Sequence, residues 1–196
     1  MSLLESIIGN GSKPIWEAFA KQKMGVLKSE SGDLFVEYSH DDLTFKIGNF
    51  THYSTSESVY NPTYMVGIVE FLNPTQFELC LTKEDLITKI RKRFTKKEIN
   101  LGNRVFDDAF FIESNQGVTA TTILRDEQLS REITELKPTR IEITNEDGLF
   151  GHAPSTGYYM LYYVKKESFR NLEQLNQLHS LLVSFIATLK DHFSIK

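Results

Sequence analysis

Apolar residues recur at every second position through much of the first half of the chain and at every third or fourth position through much of the second, the periods of strands and of helices respectively. The chain starts with Leu3, Leu4, Ile7 and Ile8 at helical spacing, a short amphipathic arm ended by Gly9-Asn10-Gly11. Trp16, Phe19 and Ala20 then mark the buried stripe of a helix over residues 13–24, with Ser12 as its N-cap, Pro14 in its first turn and Gly25 as its stop. Leu34, Val36 and Tyr38 alternate with Phe35 and Glu37, and Leu43, Phe45 and Ile47 alternate with Thr44 and Lys46. These are antiparallel strands with one face buried, joined by a tight turn over Ser39-His40-Asp41-Asp42. The second strand continues through 48–53, a third covers 64–72, and a turn at Asn73-Pro74-Thr75 leads into another over 76–81. A meander of four or five strands behind one helix is the expectation.

Helical spacing takes over at residues 83–97. Leu86, Ile87, Ile90 and Phe94 share one face, Lys89, Lys92 and Lys96 point away, and Thr82 with Asp85 resembles a capping box. A hinge over 99–115 follows. There Asn103 caps a short turn, Phe106 and Phe110 fall on one side, Asp107 and Asp108 serve as caps or as partners of Arg104, and a strand runs over 110–114. Val118, Ile123 and Leu124 suggest a helix, and Asp126 caps another with Leu129, Ile133 and Leu136 buried before Pro138. A strand over 139–144, a turn at Asn145-Glu146-Asp147-Gly148 and a tyrosine-rich strand over 158–165 complete a hairpin. The closing helix, over 171–192, has Asn171 and Gln174 as its cap pair and an apolar line through Leu172, Leu175, Leu178, Leu182, Phe185, Leu189 and Phe193. At about 1.5 Å per residue it spans roughly 33 Å, enough to cover a sheet.

The pattern predicts an α+β fold: antiparallel sheet with flanking helices and a long C-terminal helix, in a single domain 1–196 with a strand-rich subregion (12–98) and a helix-rich one (99–196). The stretch FDDAFFIESNQGVTATTILRDEQLSREI, at the centre of residues 98–144, resembles the central motif of a bacterial family of unknown function. In that family a Phe-acidic-x-x-Phe turn leads into a strand, a polar corner, a small-residue helix ending in Leu and a further helix. The matching positions are Phe106, Asp107, Phe110, Ile112, Ser114, Leu124 and Leu129. The resemblance implies an architecture and brings no catalytic residues. Some proteins with this module are membrane-associated, but this chain has no apolar run of the roughly 20 residues a span needs.

Composition narrows the functional classes. With 196 residues, 40% hydrophobic and 24% charged, the chain is long enough for one sizeable core. A net charge of -4 argues against nucleic acid as the main partner. The acidic excess is uneven, because residues 83–98 hold seven basic side chains against three acidic. That leaves the Lys89, Lys92 and Lys96 face as a candidate for peripheral contact with anionic lipid or an acidic partner. The lone Cys80 excludes an internal disulfide and reads as an inert packed thiol. No phosphate loop, His-Glu-x-x-His or Gly-x-Ser-x-Gly motif occurs, and neither a metal nor a cofactor is implied. No leader segment is evident, so the expected location is cytoplasmic.

Two loops rich in polar and aromatic residues carry the remaining candidates for ligand contact. The first, 51–63, holds His52, Tyr53 and Tyr60; the second, 148–157, holds Phe150 and His152 between glycines. The expected function is a non-enzymatic interaction or ligand-binding module for a protein or small molecule. The alternatives are a peripheral membrane protein using the basic helix 83–97 and a hydrolytic enzyme using His52 or His152. The pattern leaves the oligomeric state open.

Overall fold

The computed structural model describes residues 13–30, 33–51, 62–83, 99–146 and 154–193. In chain order the elements are α1 (Lys13–Gln22), β1 (Val26–Glu30), β2 (Asp33–His40), β3 (Leu43–Thr51), β4 (Thr63–Leu72) and β5 (Leu79–Lys83), followed by α2 (Arg104–Asp107), β6 (Phe110–Ser114), α3 (Gly117–Leu124), α4 (Glu127–Leu136), β7 (Arg140–Thr144), β8 (Tyr158–Lys165) and α5 (Leu172–His192). The strands form one eight-stranded sheet in the order β1-β2-β3-β4-β8-β7-β5-β6, and every neighbouring pair is antiparallel. This is the α+β architecture that the periodicity predicts, with the long helix in place. Both halves of the chain contribute to the same sheet: β5, from the strand-rich half, lies between β6 and β7.

One face of the sheet and the five described helices share a continuous apolar core. Helix α5 turns Leu175, Leu178, Leu181, Leu182, Phe185, Ile186 and Leu189 inward, and each such side chain contributes about 1.5–3 kcal/mol on burial. It crosses β4 at Gly67, where an added Cβ would lie 2.9 Å from a Leu182 methyl. Helix α1 packs on β1, β2 and α5, and its Trp16 stands edge-on to Phe169 at 5.4 Å. At the hinge, the Asn103 carboxamide accepts from the Phe106 N–H, and the Phe106 and Phe110 rings sit 5.0 Å apart in the core. Asp107 accepts from the Leu101 N–H at 2.9 Å, and Asp108 faces Arg104 at 3.5 Å. Both acids thus serve local structure. The polar corner after β6 stitches the hinge to the turn before β5: Ser114 Oγ donates to Glu78 O, Asn115 Oδ1 accepts from Glu78 N, and Asn115 Nδ2 donates to Gln76 O.

Four local expectations need correction. Helix α1 ends at Gln22, two residues short of the expected 24: Met24 takes the left-handed conformation, with φ 52°, and the Gly25 N–H closes the last turn on Ala20 O. Gly25 is required by proximity, since a Cβ there would meet Glu37 O and Tyr38 Cβ at 2.8 Å. Thr82 and Lys83 belong to β5 and do not open a helix; Thr82 is buried, its hydroxyl 3.4 Å from Cys80 Sγ. Val118 is 85% exposed, so α3 buries Ala120, Ile123 and Leu124 instead. Strand β1 was absent from the pattern because VLKSE has no apolar alternation. The remainder of the 83–97 helix, the N-terminal arm and Ser12 lie outside the described residues.

Candidate functional site

His52, Tyr53, Tyr60, Phe150 and His152, and the basic face of Lys89, Lys92 and Lys96, all lie outside the described residues. Among the described residues, chemistry-bearing side chains gather in three places.

The first is the face of the sheet turned away from the five helices. Glu113, Cys80, Glu142 and Tyr162 form one cross-strand row over β6, β5, β7 and β8, and Thr82 and Arg140 form part of the next. All six are at most 9% exposed. Arg140 Nη2 donates to Glu142 Oε2 at 2.7 Å. Burial pushes the Cys80 thiol up, against the pull of Arg140, so it stays protonated at neutral pH. Burial also raises the Glu113 carboxyl, again opposed by Arg140. A protonated thiol beside carboxylates is a poor nucleophile. A one-residue slip of β6 or β7 would turn Glu113, or Arg140 and Glu142, into the apolar core, which opposes any other register.

The second place is an open groove of about 610 Å3 at the hinge end of the sheet. Val105, Ala109, Phe110 and Pro138 line it, with Lys83, Lys137, Asp108 and Thr134. Val105 is 68% exposed although it is apolar, and the groove lining is mostly apolar. The groove exists because α2 is a single turn that brings the chain back at Phe110, while α4 ends at Lys137 in a left-handed cap. The helix ends stand apart over the end of β5 and β6. Asp108 faces Arg104 at 3.5 Å, and Lys83 and Lys137 bring positive charge to the groove's rim.

The third place is a corner where α1, β2 and α5 meet. The Tyr38 hydroxyl lies 2.8 Å from His179 Nδ1. The His40 ring is 5.2 Å from that of His179 and 5.7 Å from that of Phe45. Lys23 reaches over the Phe19 ring with Nζ 5.7 Å from its centroid. Burial, together with the positive charge of Lys23 and the neighbouring His40, lowers His179 to about 4. The two-residue turn Asp41-Asp42, with both φ positive, ends β2 so that His40 stays on the helix-facing side with Tyr38. Sequence reasoning sought chemistry in loops and weighed His179 only with His192, thirteen positions on and too far to share a metal, so it did not bring these residues together. The available signal was His179 interrupting the apolar line of α5.

Among the described residues no three His, Cys, Asp or Glu side chains are grouped to hold a metal ion, and no described helix is long and apolar enough to cross a membrane. Neither a family model nor a curated protein nor a solved structure matches this chain.

Proposed function

We propose that the protein is a non-enzymatic ligand-binding module, and that the hinge groove takes a small organic anion with an apolar body. The observation that carries this reading is the pairing of an apolar lining, including the exposed Val105, with Lys83 and Lys137. Its volume of about 610 Å3 falls in the range of small-molecule sites. An aryl or acyl chain would cover Val105, Ala109 and Pro138, and a carboxylate or sulfonate would meet the lysines. The chemistry of the other places favours binding over catalysis: the thiol is buried and protonated, and the paired acids of the hinge are engaged by the Leu101 N–H and by Arg104.

The test is titration with 1-anilinonaphthalene-8-sulfonate, an apolar ring system with one anionic group, followed by fluorescence. The reading expects saturable one-to-one binding, weakened about tenfold, or about 1.4 kcal/mol, by Val105→Glu and by Lys137→Glu. Both positions are exposed, so the fold tolerates the changes. Equal binding by the wild type and both variants would remove the groove as the site.

A further inference from the structure

The corner of Lys23, Tyr38, His40 and His179 lies at the other end of the molecule's chemistry, on α1, β2 and α5, and the hinge groove uses none of these residues. We propose that it is a binding site for a small soluble oxyanion of the phosphate or phosphomonoester class, held by Lys23 Nζ, the His179 Nε2–H and His40.

The proton inventory decides the class of ligand. Tyr38 is 4% exposed, and its hydroxyl has one hydrogen-bond partner, His179 Nδ1. A buried hydroxyl must place its hydrogen on an acceptor or lose about 1–3 kcal/mol. Nδ1 therefore accepts, and a neutral His179 carries its own proton on Nε2. In that tautomer the ring offers an N–H to a ligand and no lone pair to a metal ion. The site is thus built for an anion.

Charge points the same way. Lys23 is partly buried and makes no ion pair among the described residues. Its charge and His40 both oppose protonation of His179. The groups facing this corner are Lys23 from α1, Tyr38 and His40 from β2, Asp41 from the following turn, and His179 from α5, with Phe45 from β3 completing the wall. Among the described residues Asp41 is the carboxylate closest to this corner, at 3.8 Å from His40 Nε2 and 73% exposed, where water screens it. Behind His179 on the same helix, Asn176 is engaged with Gln22 of α1. An anion seated between Lys23 and the two imidazoles turns a mutual repulsion into three charge-assisted hydrogen bonds.

His179, at about 4, stays neutral and keeps its Nε2–H from pH 8 to 6, so binding should follow the charge of the ligand and weaken toward pH 6 as the phosphate dianion gives way to the monoanion. The experiment is calorimetric titration of the whole chain with inorganic phosphate at pH 8, 7 and 6, with 15N signals of the imidazoles recorded in parallel. The expected result is saturable millimolar binding that is tightest at pH 8. Lys23→Gln and His179→Gln should each weaken it about tenfold while Lys23→Arg retains it, and the His179 Nε2–H signal should shift on binding. Trp16 fluorescence and melting curves establish that the variants fold. A second arm adds vesicles containing phosphatidic acid, and millimolar phosphate is expected to compete with any binding to them. The proposal is overturned by the absence of saturable phosphate binding, by binding that Lys23→Gln leaves unchanged, by vesicle binding that phosphate does not displace, or by a His179 ring that responds to zinc ions and not to phosphate.

Discussion

Replacing Gly48 or Gly67 by alanine is the same chemical change on two neighbouring strands of one sheet, and the structure assigns the two substitutions different costs. At Gly48 of β3 the new Cβ would lie 2.5 Å from Phe35 Cβ and 2.8 Å from Leu34 O. Those atoms belong to the backbone, or are fixed to it, on the paired strand β2. Relief requires the two strands to part by about 1 Å across a hydrogen-bonded register, since tolerated contacts begin near 3.4 Å. Overpacking against rigid neighbours costs about 1–3 kcal/mol, and this contact lies at the upper end. At Gly67 of β4 the Cβ would meet Leu182 Cδ1 at 2.9 Å and Leu178 Cδ2 at 3.2 Å. These are the tips of side chains that can rotate, so the steric cost is about 1 kcal/mol. Exchanging glycine for alanine returns about 0.5–1 kcal/mol of chain entropy at either site. Gly67→Ala should therefore be nearly neutral, and Gly48→Ala should lose about 2 kcal/mol. For a chain of this length that corresponds to a fall in Tm of about 4–8 °C. Urea unfolding followed through Trp16, the single tryptophan and 1% exposed, reads both variants. If Gly67→Ala is as damaging as Gly48→Ala, the reasoning from neighbour rigidity is wrong.

Two further outcomes follow from buried titratable groups. His179 has a folded value of about 4 against an ordinary 6.5, so the unfolded chain takes up the proton first as pH falls. The stability that the neutral ring contributes is complete above about pH 6.5 and is lost as pH drops toward 4, with a slope below about 1.4 kcal/mol per pH unit because the ring is partly exposed. In phosphate-free buffer the Tm of the wild type should fall more steeply over this window than that of His179→Gln; parallel curves would contradict the reading. Cys80, buried with its thiol pushed up, should react with an aromatic disulfide reagent at pH 8 at least about 100-fold more slowly than a free thiol, and at the free rate in urea. Native reactivity close to that of a model thiol would refute its burial.

Local periodicity located several elements closely. Strands β6 and β8 match the expected ranges 110–114 and 158–165, because each is a compact run of strand-forming residues bounded by turn residues. The Asp126 and Asn171 caps form as expected, accepting from the Leu129 and Gln174 N–H groups at 2.8 and 2.9 Å. What failed were positions where tertiary packing overrode a local signal. Thr82 has the spacing of a cap, but pairing of β5 with β6 and β7 keeps it extended. Val118 lies on the outer side of a helix that turns Ala120, Ile123 and Leu124 to the core. The strand order was not legible, because it depends on which distant edges match. The third cluster was hidden for the same reason: Tyr38 and His179 are 141 positions apart and touch through one hydrogen bond. The hinge groove is a gap between helix ends, and periodicity describes surfaces that pack and not those that stay apart.

Strand β8 bridges two pieces of sheet that otherwise share no strand pairing, the β1–β4 meander and the β7-β5-β6 group. During synthesis, the meander can pair as soon as each hairpin emerges, since its strands are neighbours in sequence. It then holds an open edge along β4, rich in Val, Ile and Met, until residues 158–165 arrive. That interval exposes a backbone template for pairing with another chain. Crowding of unfinished chains should therefore favour aggregation through β4, and a chain arrested before β8 should be the species that chaperones retain.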